Sequence, residues 1–229
     1  MNVPPSVTAR LPRVVQIGFH KAGSRSFEQL FERAGHRVLK HKLRRGLGRS
    51  RNAALLMRQN LEAGRKIFDG LEDFIFYGDL IYQTPTDSFE PIFHFREILR
   101  DYPDTILLLN LRDREDWIRS RLRHGHGEFA QRTMRQKGIT SPEALADLWR
   151  QDWDRHVADV RAFMADRPDQ LIEFDLDRDP VDKLIARLPG HGLRASDWGD
   201  VGRTRGVRRH PVVAWLKRTW AHLRPRSPH

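Results

Sequence analysis

Val14-Val15-Gln16-Ile17-Gly18-Phe19-His20-Lys21-Ala22-Gly23-Ser24-Arg25-Ser26-Phe27 is the stretch on which the fold turns. It reads as strand, tight loop and helix. Val14, Val15 and Ile17 form a short β-branched run just after Pro12. Gly18 and Gly23 punctuate a turn, and Ser24 and Ser26 are residue types that cap a helix. Phe27, Leu30, Phe31 and Ala34 then recur at helical spacing until Gly35. A glycine loop that opens onto a helix N-terminus presents several backbone N–H groups and the positive end of a dipole. That geometry suits a phosphate-like anion, and Lys21 and Arg25 add charge to it.

The same alternation continues outward from this unit. Arg37-Val38-Leu39 reads as a second strand, Ala53 to Ala63 as a helix ending at Gly64, and Phe74-Ile75-Phe76-Tyr77 as a third strand followed by Gly78 and Asp79. Pro85 and Pro91 mark a long connection, and Phe95, Ile98, Leu99 and Tyr102 form a helical stripe. Thr105-Ile106-Leu107-Leu108-Leu109-Asn110-Leu111 is apolar at nearly every position, as in a central parallel strand covered on both faces. It runs into Arg112 and then an acidic first helical turn. Ser141 and Pro142 open a long helix that Pro168 stops. Leu171 to Phe174 reads as another strand and Pro180 to Leu188 as another helix. Strands alternating with helices predict an α/β fold, three-layered, around a mainly parallel sheet.

Two basic stretches interrupt the pattern. His41 to Arg51 reads as a solvated surface loop, or a basic lip facing substrate, and His124 to Thr140 as a mobile segment near the substrate. A glycine- and arginine-rich loop, Gly199 to Gly206, precedes a basic C-terminal helix and tail over 207–229. That helix packs on the domain or makes peripheral contact with a membrane surface. The expected layout is one domain over 1–229, with a core of about 12–206.

The 229-residue chain is long enough to bury a substantial core. Its 41 lysines and arginines against 30 acidic residues leave a net charge of +11, which favours an anionic partner. Cysteine is absent, which excludes disulfides, thiolate metal sites and a cysteine nucleophile. With no apolar run approaching about 18 residues, the expectation is a soluble, cytoplasmic protein.

The loop is not an ordinary nucleotide-triphosphate loop. Gly18 and Gly23 have the four-residue gap of G-x-x-x-x-G-K-[ST], but Ser24 stands where the lysine belongs and the lysine lies inside the loop at Lys21. His20-Lys21-Ala22-Gly23-Ser24-Arg25-Ser26 instead resembles the 5′-phosphosulfate loop of sulfotransferases that use 3′-phosphoadenosine-5′-phosphosulfate (PAPS). Leu109-Asn110-Leu111-Arg112 through Ser120 is similar to the family's 3′-phosphate motif, a strand-end arginine with a serine eight residues later. Leu171 to Leu176, a helix and the Gly/Arg loop are similar to its C-terminal portion.

The resemblance covers roughly Val14 to Gly206 and implies a P-loop-like sulfotransferase fold. It implies that Lys21, Ala22, Gly23, Ser24, Arg25 and Ser26 hold the 5′-phosphosulfate and that Arg112 and Ser120 hold the 3′-phosphate. Arg203 and Arg205 would close over the nucleotide. The donor would be PAPS, the product 3′-phosphoadenosine-5′-phosphate (PAP), and no metal is demanded because the loop and Lys21 meet the charge. The acceptor would be a hydroxyl, on a small molecule or a glycan. The chain departs from the commonest loop at His20, in place of a proline, and at Arg25, in place of a threonine. The proton acceptor is not fixed by a motif. Asp79 at its strand end comes first and His20 second, taking the proton or contacting the sulfuryl group; His94 is third. Two other classes stay open: a kinase-like enzyme with a variant loop, and a non-catalytic basic protein binding nucleotide or nucleic acid. The dispersed basic residues favour no nucleic-acid partner.

Overall fold

The computed structural model describes residues 11–45 and 49–199. The elements in chain order are β1 (Val14–Gln16), α1 (Ser24–Arg33), β2 (Val38–Leu39), β3 (Lys42–Arg45), β4 (Arg49–Asn52), α2 (Ala53–Glu62), β5 (Phe76–Tyr77), β6 (Tyr82–Gln83) and β7 (Ser88–Phe89). They continue with α3 (Phe95–Asp101), β8 (Ile106–Leu111), α4 (Arg114–Leu122), α5 (Glu128–Lys137), α6 (Pro142–Phe163), β9 (Leu171–Asp175) and α7 (Val181–Ala186). The expected C-terminal helix, Arg203 and Arg205 lie outside the described residues.

β2, β5, β1, β8 and β9 form, in that order, one sheet in which every pairing is parallel. Alternate residues of a strand face opposite sides, and the core divides accordingly. Val15, Tyr77, Leu107 and Leu109 enter one apolar cluster with the buried faces of α2 to α6. Val14, Phe76, Leu108, Ile172 and Phe174 enter the other, with Phe27, Leu30 and Phe31 of α1 and Leu184 of α7. The result is the three-layer α/β architecture read from the alternating strands and helices.

Strand order locates the crevice. From β1 the chain moves through β2 to β5 on one side, then crosses to β8 and β9 on the other. The order therefore reverses between β1 and β8, and in an open parallel sheet ligands bind beyond the carboxyl ends of the strands at that point. The Gly18–Gly23 loop leaves β1 there, and Arg112 leaves β8.

Three connections differ from the sequence reading. The basic stretch after β2 is not a plain loop but a hairpin: β3 and β4 pair antiparallel, with Leu43 opposite Arg51 and buried in the core. β6 and β7 likewise form a small hairpin within the proline-marked connection. The segment from Glu128 is helix α5, packed through Phe129, Ala130, Thr133 and Met134. Those residues recur at helical spacing, a stripe hidden between exposed basic and polar residues. α6 begins as its sequence indicates: the Ser141 hydroxyl accepts from the Ala144 N–H at 3.0 Å, with Pro142 in the first turn. No helix among the described residues is long and apolar enough to cross a membrane.

Candidate anion-binding site

The loop after β1 is held by its carbonyl oxygens. Asn110 of β8 donates from Nδ2 to the carbonyls of Phe19 at 3.3 Å and Ala22 at 2.7 Å. Trp117 of α4 donates from Nε1 to the His20 carbonyl at 3.0 Å, and Arg112 donates from Nη1 to the Lys21 carbonyl at 3.1 Å. The Gly23 carbonyl accepts from the Ser26 N–H at 2.9 Å. Four successive carbonyls, from Phe19 to Ala22 with Gly23 beyond, are thus turned away from the crevice. The backbone N–H groups of Lys21 to Arg25 make no hydrogen bond among the described residues.

Dihedral angles enforce this arrangement. Lys21 has φ of 72° and Gly23 has φ of 82°. Left-handed residues alternating with ordinary ones turn successive N–H groups into one concavity, the anion-binding nest. Gly23 also lies against Leu176, so a Cβ there would collide as well as strain the turn. Gly18 is packed against Asn110 in the same way.

α1 starts at Ser24 with Gly23 as its N-cap, no side-chain cap and no acidic residue in its first turn. Ser24 does not cap the helix as its position suggested, because its Oγ accepts from buried Gln16 Nε2 at 3.1 Å. The Ser24 and Arg25 N–H groups at the helix end make no hydrogen bond among the described residues, and the end keeps its positive dipole. Ser26 and Ala22 are buried, Lys21 is half-buried and Arg25 is exposed.

Lys21, Arg25 and Arg112 bring three cations to this nest. Burial pushes the Lys21 ammonium below its ordinary pKa; Arg25 and Arg112 push the same way, while Asp79 opposes them. Arg112 is half-buried, and its Nε is enclosed without a hydrogen-bond partner among the described residues. Arg13, Arg121 and Arg132 also have an enclosed Nε without a partner among the described residues, so the feature is not peculiar to Arg112; beside the loop, an anionic oxygen would satisfy it. Asp79 sits after β5 in a left-handed turn with φ of 50°. Ser120 is half-buried on α4, three residues after Trp117. His94 belongs to a local contact instead, with Nδ1 3.3 Å from Glu97 Oε1 and its ring stacked on Phe89.

Several residues of this region were missed in the sequence. Asn110 had a signal, being the one polar side chain in the apolar run from Ile106 to Leu111. Replacing it with alanine removes donors to two buried carbonyls. Asn110→Ala is expected to cost about 2–3 kcal/mol in urea unfolding, together with weakened anion binding. A change below 0.5 kcal/mol, on the scale of about 1 kcal/mol for an ordinary hydrogen bond, would show that the clip does not hold the loop.

Glu28 had no signal. It is buried one turn into α1, with Oε2 3.6 Å from Lys40 Nζ. Burial raises its pKa to about 7, with Asp79 adding to the rise. The folded state therefore holds this proton more tightly than the unfolded chain. The stability this gives is full below the ordinary value of 4.5 and is lost as pH rises through about 7. Glu28→Gln is expected to gain on the native chain by about 2–3 kcal/mol between pH 4 and pH 8 in chemical unfolding. Parallel pH profiles for the two proteins would refute this.

Among the described residues, no three or more His, Asp or Glu side chains form a group able to hold a metal ion. No family model matches the chain, and no curated protein sequence matches it. A solved structure of a sulfotransferase from Alicyclobacillus acidocaldarius is similar to it at a TM-score of 0.46 and 16% identity, over 93% of this chain and 92% of that one.

Proposed function

We propose that the protein is a sulfotransferase that moves a sulfuryl group from PAPS to an acceptor hydroxyl. The observation that carries the reading is the loop after β1: its carbonyls are tied back, the N–H groups of Lys21 to Arg25 are unpaired among the described residues, Lys21 and Arg25 lie in it, and Arg112 reaches its edge through the Lys21 carbonyl. A dianionic group at the nest would meet N–H donors and the dipole of α1, with Lys21 and Arg25 at its flanks. Arg112 and Ser120, leaving the adjacent strand, would take the 3′-phosphate, the guanidinium through its unsatisfied Nε.

The chemistry required is in-line displacement at sulfur, mostly a matter of positioning and charge stabilisation. Lys21 would neutralise charge gathering on the leaving phosphate oxygen. Asp79 and His20 are the two groups able to take the acceptor's proton. The acceptor is a hydroxyl on a small molecule or a glycan. In this reading the protein works in the cytoplasm.

Isothermal titration with PAP, with ATP and Mg²⁺, and with mixed-sequence DNA tests this function. The expected order is PAP first by a wide margin. ATP in first place would make the protein a kinase-like enzyme, and DNA in first place, with steep salt dependence, a nucleic-acid binder.

A further inference from the structure

A charged cluster beside the loop is used neither by the anion nest nor by the sheet. Glu90 follows β7, and its carboxylate stands between two nitrogens. Oε1 accepts from Arg121 Nη2 at 3.2 Å, and Oε2 lies 3.7 Å from His20 Nδ1. Arg121, on α4, is 3% exposed. Its guanidinium carbon lies 4.8 Å from the ring centre of Trp149, 5.0 Å from Phe129, 5.1 Å from Trp117 and 5.5 Å from Phe19. An apolar side chain would fill that aromatic cage at lower cost, because taking a guanidinium and a carboxylate out of water is expensive.

His20 is the third member. It is 8% exposed, and its ring stands edge-on to Phe129 with centres 4.8 Å apart. Its backbone is held by Trp117, and its Nε2 is buried without a partner among the described residues. Arg121 can only donate, so the oxygen it faces, Oε1 of Glu90, is an acceptor. A carboxylate beside Nδ1 favours the proton on Nδ1, which leaves the lone pair on Nε2. His20 is the loop residue before Lys21, and the Lys21 charge acts on its ring.

We infer that Glu90, held by Arg121, is a positioning residue that fixes His20 as the Nδ1–H tautomer and makes its Nε2 the proton acceptor in the proposed transfer. This rests on the sulfotransferase reading. In the step, the acceptor oxygen forms a bond to sulfur as the bond between sulfur and the phosphate oxygen breaks. The bonding pair leaves on the phosphate of PAP, and the hydroxyl proton passes to His20 Nε2. The charged groups facing the ring are Glu90 from the hairpin connection, Arg121 from α4, His124 just beyond α4 and Lys21 in the loop. Burial first, then Arg121, His124 and Lys21, hold the imidazole neutral. An anion paired with Lys21 offsets part of that and strengthens the base once the donor is bound. Asp79 then serves as counter-ion to Lys21.

The test is nitrogen-15 labelling of histidine in the full chain, read by long-range nitrogen–proton correlation with and without PAP. Wild-type His20 is expected to carry its proton on Nδ1. In Glu90→Gln the amide oxygen must face Arg121, so the amide N–H turns to His20 and the tautomer inverts to Nε2–H; the analogous exchange in a Ser-His-Asp triad has that consequence. Glu90→Asp keeps the charge and the tautomer. PAP release from PAPS with 2-naphthol as probe acceptor is expected to fall at least 100-fold in Glu90→Gln and in His20→Asn, with PAP affinity within threefold of wild type. An Nε2–H tautomer in the wild type, a Glu90→Gln spectrum unchanged at His20, or full turnover in His20→Asn would overturn the inference. If wild type fails to bind PAP, the sulfotransferase reading itself fails, which the affinity measurement reports separately.

Discussion

Arg121→Ala is expected to lower the unfolding free energy by about 3–5 kcal/mol, the largest effect of any single change considered for this chain. Two losses combine. The Glu90 carboxylate, 17% exposed, is left without its guanidinium. The cage of Phe19, Trp117, Phe129 and Trp149 is left with a void where the cation lay over each ring. Urea unfolding measures the sum. The double change Arg121→Met with Glu90→Gln is expected to recover part of the loss, because it leaves no buried charge unpaired and fills most of the space. A loss below about 1 kcal/mol in Arg121→Ala would mean that the pair behaves like a surface ion pair, against its burial.

Lys21→Ala is expected to slow the proposed sulfuryl transfer by about 10²–10³-fold, the range for removing one preorganised stabiliser of developing charge. PAP affinity should fall by about 10–150-fold, the equivalent of one charged hydrogen bond of 1.5–3 kcal/mol. Arg112→Ala should weaken PAP by a similar factor and also free the Lys21 carbonyl that it holds. Direct titration and initial rates separate the two contributions, since Lys21 acts on both and Arg112 chiefly on affinity. Wild-type affinity in both variants would remove the anion site from the loop.

How much of this was legible in the sequence differs residue by residue. The run from Ile106 to Leu111 announced a doubly covered strand because nearly every side chain in such a strand faces an apolar layer, with Asn110 the one exception. The placement of Gly23 in a turn after β1 and of Arg112 at the end of β8 was legible, because glycine punctuates such turns and the apolar run of β8 stops at the arginine. α5 was not legible as an ordered helix, since its four buried residues form a short stripe, split by Gln131 and Arg132 and followed by Arg135, Gln136 and Lys137. Ser24 was misread as a cap because nothing local reveals that Gln16, eight residues earlier, points its amide at that hydroxyl.

The amino-acid sequence by itself determined the alternation of strands and helices, the parallel sheet, and the loop with its cations. Those features rest on periodicity and on backbone conformations that depend on neighbours within a few residues. Tertiary structure alone decided that Asn110, Trp117 and Arg112 pull the loop carbonyls inward, and that Glu90 stands between His20 and Arg121. Those partners lie 31 to 97 residues apart. The free energy of burying a charge or satisfying a carbonyl is set by whatever the fold brings alongside it, which no local pattern records.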